Sequence, residues 1–195
     1  MVAVSPQADG AALLLLASER ACRHHGLSPR AHWMASQSLG THPTDPLTGA
    51  LAATLALLAR QNVLPRQLHA LELHDAFAVQ GLAFARAMQA RGVAASRINA
   101  WGGGLARGHP IGASGAVALV QLLARLAAFQ ASPASPASST SPVSRVSPHP
   151  PQSATHLTPP ASPEPPTSSR LGLACIAGAG GLGSAVLVSH EAVRP

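Results

Sequence analysis

Asn99-Ala-Trp-Gly-Gly-Gly-Leu-Ala-Arg-Gly-His-Pro-Ile-Gly-Ala-Ser-Gly115 is the densest chemical signal in this chain. Six glycines surround one histidine, His109, and the apolar stretch from about Gly112 to Phe129 predicts a helix. Glycine lets backbone approach a ligand closely. The free N–H groups and dipole of a following helix favour an anion or a developing negative charge. Pro110 fixes φ beside His109, and an imidazole with an ordinary pKa near ~6.5 moves protons at neutral pH. The structural alternative is a tight glycine turn with His109 exposed.

Three better-known glycine motifs do not fit. A phosphate-binding P-loop needs Gly-Lys, and all 13 basic residues are Arg. Gly102-Gly103-Gly104 with Gly108 misses the dinucleotide spacing G-x-G-x-x-G by one residue. Gly112-Ala-Ser114-Gly-Ala116 has Ala where a hydrolase elbow needs its last Gly.

Upstream, Glu72-Leu-His74-Asp75-Ala-Phe77-Ala places His74 and Asp75 where a short strand, Leu71–His74, hands over to a helix, Ala76–Ala90. Layered α/β folds present polar groups at such handovers. His74 can donate to an oxyanion there, and Asp75 can orient a neighbour or cap the helix. Downstream, Cys175 precedes a glycine turn, Gly178–Gly181. Such a thiol is activated only if a neighbouring His or helix end lowers its pKa from about 8.5; otherwise it is a small inert hydrophobe. Cys22, beside Arg23, His24 and His25, has no supporting loop, and the two His lack a third metal ligand. No metal site is expected.

The remaining pattern alternates strand and helix, which implies a layered α/β domain. Ala11–Ala17 reads as a buried strand, with a helix segment as the alternative, Ser18 caps a short helix ending at Gly26, and Ala31–Gln37 reads as a strand. Asp45-Pro46 reads as the cap and first residue of a helix to about Arg60. Ile98–Trp101 is strand-like. Leu171–Ala177 and Gly183–Ser189 read as a hairpin around the glycine turn.

Residues 131–170 stand apart, with 11 of the 18 Pro, 11 Ser and no Gly or aromatic residue. That composition buries too little apolar surface to offset ordering entropy, so a disordered insertion is expected. The net charge of +6 invites a nucleic-acid reading, but the arginines are scattered and aromatics make up 3%. With no apolar run of roughly 18 residues and no basic leader, neither a membrane nor a nucleic-acid partner is expected, and the default location is the cytoplasm.

In this order the motifs resemble the C-terminal half of a thiolase, an acyl-CoA acyltransferase. The likeness begins at Ala8-Asp-Gly-Ala-Ala12, continues through Glu72–Ala78 and Asn99–Gly115, and closes at Arg170-Leu-Gly-Leu-Ala174 and Gly180-Gly-Leu-Gly183. It implies an α/β thiolase-like C-terminal domain, a mixed sheet packed with helices, made of residues 29–130 and 171–195. Residues 1–28 would be the last strand and helix of the family's N-terminal domain.

The resemblance also implies roles. Thiolases join or cleave 3-ketoacyl-CoA by ping-pong acyl transfer through a nucleophilic Cys, with a second Cys moving the proton. His109 would activate the nucleophile and help form an oxyanion hole. His74 matches an Asn that holds an oxyanion-hole water, and the His-Asp form resembles sterol-carrier-type thiolases. Ser5 matches a Ser near the coenzyme A pantetheine, and Gly108 and Gly180 belong to the matching loops. Coenzyme A thioesters would be substrates, with no permanently bound cofactor. A thiolase N-terminal half, or a second copy of the chain, would be the partner. The nucleophilic Cys belongs to that other half. The acid/base Cys position falls on Ala177 if aligned without gaps, with Cys175 two residues early; a compensating gap would bring Cys175 into place. Strand spacing makes the difference roughly 6–7 Å. A non-catalytic, thiolase-derived binding or scaffold domain is the alternative.

Overall fold

A computed structural model describes residues 3–129 and 169–190. Most of the expected insertion, residues 131–168, lies outside them. The sheet has four strands: β1 (His32–Gly40), β2 (Leu68–His74), β3 (Arg170–Gly178) and β4 (Leu182–His190), in spatial order β1-β4-β3-β2. It is mixed, because β2 and β3 run parallel while β4 is antiparallel to both β1 and β3. The expected hairpin forms across Gly178–Leu182, where Gly180 and Gly181 adopt φ of +75° and +81°.

Helices cover both faces of the sheet. On one, α2 (Gly49–Arg60) and α3 (Ala78–Gln89) pack Ala53, Leu57, Phe84 and Met88 against Leu71, Leu73, Leu173 and Leu187. On the other, α5 (Ser114–Ala128) packs Ala118, Leu122 and Leu126 against Ala70, Ala174 and Val188. Alternation along β2 and β3 therefore sorts residues by face. Glu72 and His74 share the α5 face with Ala70, whereas Leu71 and Leu73 share the other with Cys175. Gly172 is small because a Cβ there would lie 2.7 Å from Leu126.

The short helix α1 (Glu19–His25) forms as expected: Ser18 accepts from the Ala21 N–H at 3.2 Å, and Gly26 closes it at φ +61°. Three expectations differ. Residues 11–17 form no strand, and Leu13, Leu15 and Leu16 are 92%, 81% and 67% exposed. Among the described residues no strand lies alongside to take up their backbone groups, and only Leu14 reaches the core. The second helix starts at Gly49 rather than Pro46, because the Asp45 carbonyl accepts the Thr48 hydroxyl at 3.2 Å within a preceding turn. Ile98–Trp101 contributes one bridge, Leu71 to Ile98, and no strand. There Asn99, at φ +44°, replaces the next strand residue with its side chain, which accepts from Leu73 N–H at 2.8 Å and donates to Leu73 C=O at 2.9 Å. No helix among the described residues is long and apolar enough to cross a membrane.

Candidate active site

The carboxyl ends of the parallel strands β2 and β3 lie at one edge of the sheet, the place where open α/β sheets bind ligands. His74 is the last residue of β2. The loop after it passes beneath Gly103 and Gly104, which open α4 (Gly104–Arg107). The glycines are required by contact: a Cβ at Gly103 would sit 2.1 Å from Asp75 Oδ1, and one at Gly104 would sit 2.6 Å from His74 Cε1. Asp75 does not cap α3. Its Oδ1 accepts from the Leu105 N–H at 3.3 Å, tying the two loops together.

The N-terminal segment completes the enclosure. Ser5 N–H donates to Ala76 C=O at 2.8 Å, and His109 N–H donates to Pro6 C=O at 2.7 Å. Ser5 Oγ, buried, donates to Gly104 C=O at 2.6 Å. Gly108, at φ +87°, leaves room for Ala8, whose Cβ would lie 2.6 Å from any Cβ there. Residues 3–8 thus run between the His74 loop and the His109 loop.

The His109 ring lies 4.2 Å from the His74 ring, centroid to centroid, at 36°. His109 Nδ1 is 2.6 Å from Ser114 Oγ, and that hydroxyl also donates to Pro110 C=O at 3.1 Å. A hydroxyl has one proton. With that proton given to Pro110, Ser114 accepts from His109 Nδ1–H, and the lone pair of neutral His109 is on Nε2. A cavity of about 170 Å³ lies beside these loops, lined by His74, Ser114, Ala8, Asp9, Arg107 and the Gly108 and Pro110 that flank His109, rather than by the His109 ring itself. Arg107 is anchored there through Nη1 to Gly102 C=O and Gln121 Oε1.

Burial, then the charges of His109 and Arg107, lower the His74 pKa from 6.5 to about 4. His74 is therefore neutral at pH 7, and cannot serve as an imidazolium acid. The unfolded chain takes up a proton near pH 6.5 that the fold refuses until about 4. Stability contributed by neutral His74 is thus present above about 6.5 and lost as pH falls through that window. Burial lowers His69 and His190 too, so they share the slope. The melting temperature is expected to fall between pH 6.5 and 4, and less steeply in His74→Asn. Melts at half-unit pH steps check this; parallel curves would refute the His74 share.

Of the residues singled out in the sequence, the structure brings together Ser5, His74, Gly108 and His109. It does not bring Cys175 or Gly180 to them. Gly180 sits in the β3–β4 turn and does not line the cavity. Cys175 is 3% exposed on the α2 face, opposite His74, and Ala177 packs against the same core. Ile176 is the residue that pairs with His74 in register. Burial, outweighing the opposing influence of the nearby Thr54 hydroxyl, raises the Cys175 thiol to about 12. A thiol-labelling reagent such as iodoacetamide is expected to modify Cys22 in the folded chain and Cys175 only after denaturant, since the thiolate is the nucleophile. Peptide mass mapping of the labelled protein reads this; native labelling of Cys175 would contradict the burial.

Sequence reasoning missed Ser114 as the partner of His109, although a hydroxyl five residues on, at a helix start, was the available signal. It also missed Asn99 and the buried pair Glu72–Arg125. Arg125 Nη1 binds Glu72 Oε1 and, at 3.3 Å, Leu71 C=O; Nη2 binds Arg97 C=O at 3.1 Å.

Comparison with known proteins agrees with this α/β architecture. The model of the thiolase C-terminal domain matches residues 27–137, more than half of the chain, and the chain belongs to the thiolase family. It is 44% identical to the beta-ketoadipyl-CoA thiolase of Pseudomonas putida over 110 residues, 55% of this chain and 27% of that protein. It is 38% identical to the acetyl-CoA acetyltransferase of Thiocystis violacea over 111 residues, 57% of this chain and 27% of that one. Its fold is similar to a thiolase from Ascaris suum solved in complex with coenzyme A (TM-score 0.64, 26% identity, 89% of this chain and 34% of that chain). It is also similar to human mitochondrial 3-ketoacyl-CoA thiolase (TM-score 0.66, 22% identity, 90% and 34%). The matches thus span about a quarter of the length of these curated relatives.

Proposed function

We propose that this chain supplies the His109 half of a thiolase-type acyl-transfer site, moving acyl groups between coenzyme A thioesters by 3-ketoacyl-CoA thiolysis or Claisen condensation. The nucleophilic Cys comes from a thiolase N-terminal half. The observation that carries the reading is the His109–Ser114 hydrogen bond of 2.6 Å beside the His74 ring, at the carboxyl edge of the sheet where His74 and Ser114 line a cavity.

His109 is held with its proton on Nδ1 by Ser114, so Nε2 takes the proton of the attacking thiol. Backbone-anchored loops fix the ring: His109 N–H is bound to Pro6, and Gly108 lets that segment approach. Neutral His74 offers a position that holds a water for the substrate oxygen, without bringing its own charge. The arrangement is preorganised, which is how such groups stabilise charge that develops only in the transition state. Coenzyme A thioesters are the substrates, and Ser5 holds the Gly104 loop that would face them.

A second reading, a non-catalytic thiolase-derived binding or scaffold domain, is favoured by one observation: Cys175 is sealed on the face away from His109, with its thiol raised to about 12. The test is to co-express the full chain with the N-terminal half of the Pseudomonas putida relative and assay acetoacetyl-CoA thiolysis. Turnover in the co-purified complex supports acyl transfer. A stable complex without turnover supports the scaffold reading and overturns the first.

A further inference from the structure

We propose that Glu72 is a positioning residue for His74: its Oε2, through one buried water, holds the His74 proton on Nε2 and leaves the Nδ1 lone pair for the cavity. Two buried polar atoms of β2 have no hydrogen-bond partner, Glu72 Oε2 and His74 Nε2. Glu72 is 0% exposed and His74 3%. They stand two residues apart on the same face of one strand, so their Cβ atoms are roughly 6–7 Å apart. That span suits a single bridging water, and a buried water with polar partners is the usual answer to orphaned buried groups.

The surroundings favour a bridge between the two atoms. Arg125 reaches Glu72 from the last turns of α5, the end remote from Ser114 and His109, and occupies Oε1. The other charges felt by Glu72 are Arg107 and Asp75, and Arg107 also acts on His74. Both lie at the His74 end of β2. Glu72 paired to Arg125 is an acceptor only, so the water donates a hydrogen bond to it and has an oxygen free to accept from Nε2–H. A negative edge near Nε2 favours the proton there over Nδ1.

For acyl transfer, this rests on the reading above: an Nδ1 lone pair would hold a water whose other proton faces the substrate oxygen. The proton position itself does not depend on activity. The experiment is a long-range ¹⁵N–¹H correlation spectrum of the full chain labelled with [¹⁵N]histidine at pH 7, with His74 identified by its loss in His74→Asn. The expected result is at least about a tenfold excess of the Nε2–H tautomer, falling to within about threefold of parity in Glu72→Gln. If Glu72→Gln does not fold, Glu72→Gln/Arg125→Gln, which removes both charges, replaces it. An excess of Nδ1–H in the wild-type chain, or an unchanged tautomer in the folded variant, overturns the proposal. A co-purified complex with the N-terminal half that is inactive in thiolysis, with His74 of the chain on the Nε2–H tautomer, overturns the acyl-transfer reading alone.

Discussion

His109→Ala in the assembled acyltransferase is expected to cut acetoacetyl-CoA thiolysis by about 10²–10⁴-fold, the usual contribution of a positioned general base. The loss falls on kcat, because the imidazole acts on the proton in flight rather than on ground-state binding. Stability should change little: the half-buried ring gives up one hydrogen bond to Ser114, worth about 1 kcal/mol. Ser114→Ala is the companion variant. It frees His109 Nδ1 without removing the base, so its loss should be smaller, about tenfold by the same scale. Initial rates of thiolysis, with melting curves as the fold control, decide both. Unchanged turnover in His109→Ala would end its assignment as the base.

The contrast between these two residues marks what the sequence exposes. His109 was legible because six glycines and a proline crowd around one imidazole, a pattern that marks the position even where packing alone accounts for several of the glycines. His74 was legible because a strand-to-helix handover is read from a change in hydrophobic period. The hairpin was legible too, since glycines with positive φ must interrupt two apolar runs there. Cys175 was not. A thiol next to a glycine turn has the same one-dimensional surroundings whether it faces His74 or the α2 core, and only the register Leu73 to Cys175 settles the face. Residues 11–17 show the same limit from the other side. Their apolar run satisfies a strand's side chains, but a strand also needs neighbours for its backbone, and a run of letters carries no information about them.

Arg125 was illegible for a related reason: near the end of an amphipathic helix an arginine reads as solvated, whereas here it is 3% exposed. Arg125→Ala is therefore expected to cost about 3–5 kcal/mol, the range for breaking a buried ion pair and leaving one charge uncompensated. It also leaves the carbonyls of Leu71 and Arg97 without the guanidinium that binds them. The sign of the pH dependence separates this cause from simple loss of packing. Burial already raises the Glu72 pKa above 4.5, and Arg125 is the main group opposing that rise. Without Arg125 the folded-state pKa climbs further, so the native variant binds a proton that the unfolded chain has released. Its deficit is then greatest at neutral pH and shrinks as pH falls through the folded pKa toward 4.5. Urea titrations of wild type and variant at pH 7 and pH 5 measure the difference. An equal deficit at both would assign the loss to packing alone, whereas recovery at the lower pH, matched at pH 7 by Glu72→Gln/Arg125→Ala, would trace it to the stranded carboxylate.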